Sequence, residues 1–134
     1  SVPTTQIEEH NVLTVLDYTA LEKLREYNEE GEKDIVSELV ELFLSEAPEV
    51  ANRLREAVEQ GDPDQVKRMA HKLKGMSSNI EAKKLNHACA ALEAAGREKN
   101  LCQSKKQFDH IMQSLDELMH ALRKYDTESL KCAV

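Results

Sequence analysis

Apolar residues recur every three or four positions through most of the chain, the spacing of one buried helix face. The first fifteen residues show no clear period and read as an N-terminal arm or linker (1–15). Asp17 then opens a short pattern with Leu21 and Leu24, which stops near Asn28 and Gly31. From Glu32 to Gln60 the stripe is Ile35, Val36, Leu39, Val40, Leu42, Phe43, Ala47, Val50, Leu54, Ala57 and Val58. Pro48 falls inside it and predicts a kink or break, since proline has no N–H to donate. Gly61 ends that helix. Asp62-Pro63 then supplies an N-cap and a favoured first residue for a helix over 63–79. Asn79 is expected as its left-handed stop. A fourth helix is predicted over 82–98, with Leu85, Ala88, Cys89, Leu92 and Ala95 inward and Gly96 and Asn100 at a frayed end. A fifth covers 104–125, with Phe108, Ile111, Met112, Leu115, Leu118, Met119 and Leu122, leaving 126–134 as a C-terminal tail.

Four substantial amphipathic helices with short connections predict an all-α fold, an antiparallel up-down four-helix bundle over 16–125 with a short N-terminal capping helix. Composition agrees. Aromatics are 4% of 134 residues, with no Trp, 4 Gly and 3 Pro, which argues against a turn-rich β-sandwich. No apolar run is long enough to cross a membrane, and no basic-then-apolar leader opens the chain. Cys89, Cys102 and Cys132 are too few and too scattered for a disulfide framework or a metal cluster, so a reducing, cytoplasmic setting is expected. A net charge of −7 argues against nucleic-acid binding.

That charge is uneven. Residues 22–62 hold 13 acids and 5 bases, whereas between Gln65 and Lys74 there are four bases, Lys67, Arg68, Lys72 and Lys74, and no acid. On a helical wheel the third helix's stripe of Val66, Met69, Ala70, Leu73, Ser77 and Ile80 occupies about 80°. His71 lies about 150° from its centre, facing water with Lys67, Lys74, Gly75 and Ser78 on or near the same side. A glycine in an exposed helix interior costs about 1 kcal/mol relative to alanine, so Gly75 asks for a reason. Its missing side chain leaves the imidazole open to a bulky visitor. The surrounding cations attract an anion and disfavour a further positive charge on the ring, leaving a free nitrogen as nucleophile.

At these residues the sequence resembles a known family. Ala70-His71-x-Leu73-Lys74-Gly75 is similar to the signature of histidine-containing phosphotransfer (HPt) domains of multistep phosphorelays. The stretches LVELFLSEAPEVANRLREAVEQGD, RMAHKLKGMSSNI and LNHACAALE follow the family's order across residues 16–125. The resemblance implies that His71 accepts a phosphoryl group from a receiver-domain aspartate and passes it to another receiver domain. It implies that Lys74, helped by Lys67, steadies the phosphoryl group and that Gly75 gives access. Arg68, Lys72 and Ser78 would contact the partner, with Leu44, Pro48 and Val50 as apolar contacts if a kink at Pro48 exposes them. It further implies a carrier without catalytic machinery of its own, with Mg²⁺ supplied by the receiver, which could belong to a hybrid histidine kinase. One departure is Glu81, where the family often has glycine.

Other readings stand beside this one. The chain could be the phosphoacceptor domain of a chemotaxis-type histidine kinase, or a non-catalytic helical adaptor. His87, His110 and His120 read as surface residues on polar flanks, and His10 lies in the arm. No two histidines have His-x-x-x-His spacing, so no metal site is expected. No Gly-x-x-x-x-Gly-Lys loop is present to support an intrinsic ATP site. A monomer is expected.

Overall fold

The computed structural model describes residues 14–132, with side chains as far as residue 125. Expectations for the arm up to residue 13 and for the Cys132 thiol lie outside the described residues. The helices are α1 (Tyr18–Leu24), α2 (Ile35–Gln60), α3 (Pro63–Asn79), α4 (Lys83–Arg97) and α5 (Ser104–Cys132); a 3₁₀ turn, Arg25–Tyr27, follows α1. The described residues contain no strand. In the four-helix bundle α2 packs on α3, α3 on α4, α4 on α5, and α5 closes back on α2. The core is the predicted set of stripes, with Val36, Val40, Leu54, Leu73, Leu85, Leu92, Ile111, Leu118 and Leu122 almost fully buried. The short α1 caps one end. Leu21 enters the core there, and Tyr125 of α5 donates to Glu22 of α1 at 2.5 Å while its ring meets that of Tyr18.

Local chemistry accounts for the helix starts. Asp17, Asp34 and Asp62 each accept a backbone N–H at the first turn of α1, α2 and α3, a cap worth about 1 kcal/mol. The helix ends share one device. The amides of Asp62, Ala82 and Asn100 reach back to the carbonyls of Ala57, Ser77 and Ala95, five residues earlier. In each case a left-handed residue just before makes the turn: Gly61 (φ 64°), Glu81 (φ 60°) and Lys99 (φ 57°).

Several expectations are corrected here. Asn79 is the last helical residue of α3, and Glu81 rather than Asn79 takes the left-handed turn. α2 is unbroken through Pro48. Leu42, expected in the core stripe, is half exposed, whereas Val50 is buried with the rest of the stripe, and no break at Pro48 turns it outward as a contact. Gly96 marks no fraying; it is buried where α4 crosses α3. α5 continues to Cys132, so the helix runs on through residues expected to be a tail.

The turn at Glu81 gives a direct prediction. A side chain in the left-handed region costs about 1–2 kcal/mol, while glycine there costs roughly 0.5–1 kcal/mol in extra unfolded-chain freedom. Glu81→Gly is therefore expected to stabilise the protein by about 0.5–1 kcal/mol, read as a melting temperature a few degrees higher. An unchanged or lower value would show that the Glu81 side chain contributes more than its backbone strain removes.

Candidate functional site

His71 sits midway along α3. The inward turns of that helix, Val66, Ala70, Leu73 and Ser77, are fully buried, and this pins the opposite face outward. The His71 side chain is 69% exposed. Gly75, one turn on, is exposed as well. A Cβ added there would meet nothing within 4 Å, so no packing contact explains the glycine. Lys67, Arg68 and Lys72 are exposed around the ring. With Arg53 of α2 and Arg97 of α4 they line an open bowl over α3, floored in part by Met69 and Glu93. Ser78 is exposed two turns beyond His71, and its hydroxyl accepts from the Asn86 side-chain amide at 2.7 Å.

Glu93 is the residue that the sequence reading missed. It belongs to α4, yet its carboxylate lies at the ring of His71. Its side chain is 6% exposed, and its two oxygens divide their work. Oε2 is 2.5 Å from His71 Nδ1 and Oε1 is 2.5 Å from Lys74 Nζ, with Arg97 further off at 3.8 Å. Lys74 is accordingly half-buried and paired, whereas the helical wheel left it free on the outer face. The bases of the bowl surround a built-in acid. A signal was present: Glu93 lies four residues after Cys89 and one after Leu92, inside the α4 core stripe, where an acid needs partners.

The electrostatics of the cluster follow. Burial pushes the Glu93 carboxyl up, but hydrogen bonds from Lys74 and His71 and the positive charge of Lys74 outweigh it, so its pKa falls below the ordinary value of 4.5. An ionised carboxylate has no proton to give, so Nδ1 of His71 is the donor. Nε2 is then the ring nitrogen with a free lone pair, on the exposed side of the imidazole. Cys89, one turn before Glu93, is inert by contrast: burial, then the Glu93 charge, push its thiol up to about 12.

Asp17 is held below its usual range by the Ala20 amide and Lys83. Asp34 is held there by Asn28, Val36 and Arg25 against the opposing effect of burial. Carboxyls lowered by folding contribute stability above their unfolded pKa and lose it as pH falls through their folded values. Stability is therefore expected to be intact at neutral pH and to decline progressively below about pH 4.5. Denaturant melts from neutral to acid pH check this, and Glu93→Gln should weaken the decline. A variant with the parent's full acid sensitivity would remove Glu93 from the balance.

The other histidines lack these features. His87 and His110 are exposed along a recess of about 330 Å³ between α4 and α5, with Lys84, Ala88, Ala91 and Gln107. Lys84 is engaged by Glu117 at 2.9 Å. His120 is exposed on α5. Among the described residues, no group of three or more His, Cys, Asp or Glu side chains is placed to hold a metal ion. No described helix is long and apolar enough to cross a membrane.

Comparison with known proteins meets this geometry directly. The model of the Hpt domain family matches residues 38–125, more than half of the chain and all of α3 and α4. The chain belongs to the Hpt domain family. This Hpt domain is 30% identical over 74 residues to histidine-containing phosphotransfer protein 5 of Arabidopsis thaliana; the match takes in 53% of the chain and 47% of that relative. It thus spans about half of the curated relative's length. Its fold is similar to that of histidine-containing phosphotransfer protein B from Pseudomonas aeruginosa PAO1. The TM-score is 0.76 at 24% identity, over 85% of this chain and 96% of the other.

Proposed function

We propose that this Hpt domain is a phosphocarrier of a two-component phosphorelay, accepting a phosphoryl group on His71 Nε2 from a receiver-domain aspartate and passing it to a second receiver. The observation that carries the reading is the outward-facing ring, held at Nδ1 by Glu93 and left uncovered by Gly75. Phosphoryl transfer is largely positioning and charge neutralisation. This chain supplies a directed lone pair and a cationic surround. The receiver is assigned the aspartate and the Mg²⁺, and no kinase activity is assigned to this chain. Lys74 lies within the cluster and can shift from Glu93 toward an incoming phosphoryl oxygen, with Lys67 in support.

The receiver contact is placed on the exposed faces of α2 and α3. Arg68 and Lys72 offer positive charge and Ser78 a hydroxyl. Beyond Gly75, the groove between α2 and α3 offers Leu39, Leu42 and Met76, with Pro48 exposed further along α2. Leu44 is half-buried and Val50 is turned into the core, so neither stands out as a contact. The test is incubation with isotopically phosphorylated receiver domains from the source organism. Label should appear on this chain as acid-labile, base-stable phosphate and chase onto a second receiver. No transfer from any of them would favour an adaptor.

Gly75→Leu separates access from folding. A Cβ added at this position meets nothing within 4 Å, and replacing a helical glycine contributes about 0.5–1 kcal/mol of stability. The variant is expected to melt at or above the parent temperature and to lose roughly 100-fold or more in transfer rate, as when a reacting pair is held about 1 Å out of place. Transfer at the parent rate would show that the receiver does not approach over Gly75.

A further inference from the structure

We propose that the basic bowl beside His71 is a binding site of its own, for a free oligophosphate: the phosphate chain of a nucleoside triphosphate, or an inorganic chain of the same length. A chain held there lies against the His71 ring and closes it to a receiver. The binding half of the inference stands on the bowl alone, and the closing half rests on the reading of His71 as phosphoacceptor.

The bowl holds more charge than a phosphoryl group on the ring can use. Its cations come from three helices: Arg53 from α2, Lys67, Arg68 and Lys72 from α3, and Arg97 from α4. Among the described residues of the lining Glu93 is the one carboxylate, and Lys74 at its Oε1 already matches its charge. Arg53 is engaged by Glu49 at 2.9 Å, but both side chains are exposed, so that pair is weak and opens readily. Lys67, Arg68 and Lys72 have no ion-pair partner among the described residues, and Arg97 has only its 3.8 Å approach to Glu93. These four are left uncompensated. One phosphoryl group brings at most about two negative charges, which leaves the rest facing water. A chain of three phosphates carries one ionised oxygen on each unit and a second on its last unit, about four charges in all near neutral pH.

Shape selects a short chain. The bowl holds about 620 Å³. Packed helices lie about 8–10 Å apart, so cations from α2 and α4 on either side of α3 are spread wider than one phosphoryl group. A short chain spans them, and the planar forks of Arg53, Arg68 and Arg97 suit pairs of phosphate oxygens. A long polyanion such as RNA is disfavoured. It would leave the bowl over α2, where Glu46, Glu49, Glu56 and Glu59 are exposed, on a chain of net charge −7. Glu46 and Glu49 stand beside Arg53 and Lys72 at the rim and repel whatever reaches past it. His71 lines the same bowl, so an occupant and a receiver compete for the ring.

The binding experiment needs no receiver. The full chain, labelled with ¹⁵N, is titrated at neutral pH and low salt with sodium tripolyphosphate in the absence of Mg²⁺, with orthophosphate and ATP run in parallel. Tripolyphosphate is expected to bind about tenfold or more tighter than orthophosphate, because it makes two further charge pairs worth up to about fivefold each. Amide shifts should centre on Lys67, Arg68, Lys72 and Arg97. Arg53→Gln combined with Arg97→Gln should weaken tripolyphosphate by about tenfold. Lys105→Gln combined with Lys106→Gln, an exposed basic pair outside the bowl, should leave it unchanged. Equal affinity for tripolyphosphate and orthophosphate, parent affinity in the arginine variant, or shifts centred elsewhere would each overturn the proposal. A thermal melt shows whether the arginine variant is folded; if it is not, the affinity ratio and the shift map decide. ATP that binds as tightly as tripolyphosphate makes the nucleotide a ligand, and ATP that binds only as orthophosphate does confines the site to the inorganic chain. In the receiver assay, with Mg²⁺ kept in excess, tripolyphosphate at ten times its dissociation constant should slow labelling of His71 about tenfold. An unchanged rate overturns the closing half. Binding without transfer from any receiver removes the phosphorelay reading and leaves the oligophosphate site standing, so the two can fail separately.

Discussion

His71→Gln is expected to take up no phosphoryl group from any receiver that labels the parent chain. Its helicity and melting temperature should stay close to the parent's. The reason lies in where the ring stands. It is exposed, it contributes nothing to the core, and its one described polar partner is Glu93. A glutamine amide can still donate to that carboxylate, so the stability change should lie within about 0.5 kcal/mol, as for a surface substitution. What glutamine lacks is a nucleophilic nitrogen, because its amide lone pair is delocalised. The loss should be complete rather than graded. His87→Gln, His110→Gln and His120→Gln serve as matched controls and should accept label at the parent rate. Acid-labile phosphate on the His71→Gln chain, or its loss in one of the controls, would move the acceptor elsewhere.

Gly96→Ala is expected to cost the bundle about 2–3 kcal/mol, at the upper end of overpacking effects. A Cβ on Gly96 would lie 2.7 Å from the Lys67 amide nitrogen, 2.8 Å from the Pro63 carbonyl oxygen and 3.0 Å from the Lys67 Cα. All three are backbone atoms of the first turns of α3, so relief requires the helix itself to move. Alanine gains about 1 kcal/mol in helix propensity over glycine, which offsets only part of that cost. Denaturant unfolding at neutral pH measures the difference. A variant more stable by that propensity gain would show that the two helices do not approach so closely.

The helices were largely legible because their stripes are strong and their breaks carry Asp-Pro, Gly or Asn. His71 and Gly75 were legible for the same reason: a regular stripe also tells which residues it leaves outside. The residues that escaped are those whose meaning depends on a second helix. Glu93 and Gly96 both lie on the inward face of α4, and a wheel drawn for one helix cannot say that α3 offers His71 and Lys74 to one and bare backbone to the other. Lys74 was misread with them, since its partner was not visible within α3. Pro48 was expected to interrupt α2, but the core contacts of Phe43, Ala47, Val50 and Ala51 carry the helix across it. Glu81 shows tertiary demand overriding local preference: the chain must turn after Ile80 to bring Ala82 and Leu85 inward, and it does so without glycine.

The imidazole takes its bearing from the neighbouring helix rather than from its own. Glu93 and Gly96 are one turn apart on α4, so the bare contact that lets two backbones touch also sets the height of the brace under the ring. Thickening that contact by a methyl group would tilt the brace before it melted the bundle. Misdirected chemistry should therefore appear in such variants at temperatures where the protein is still folded.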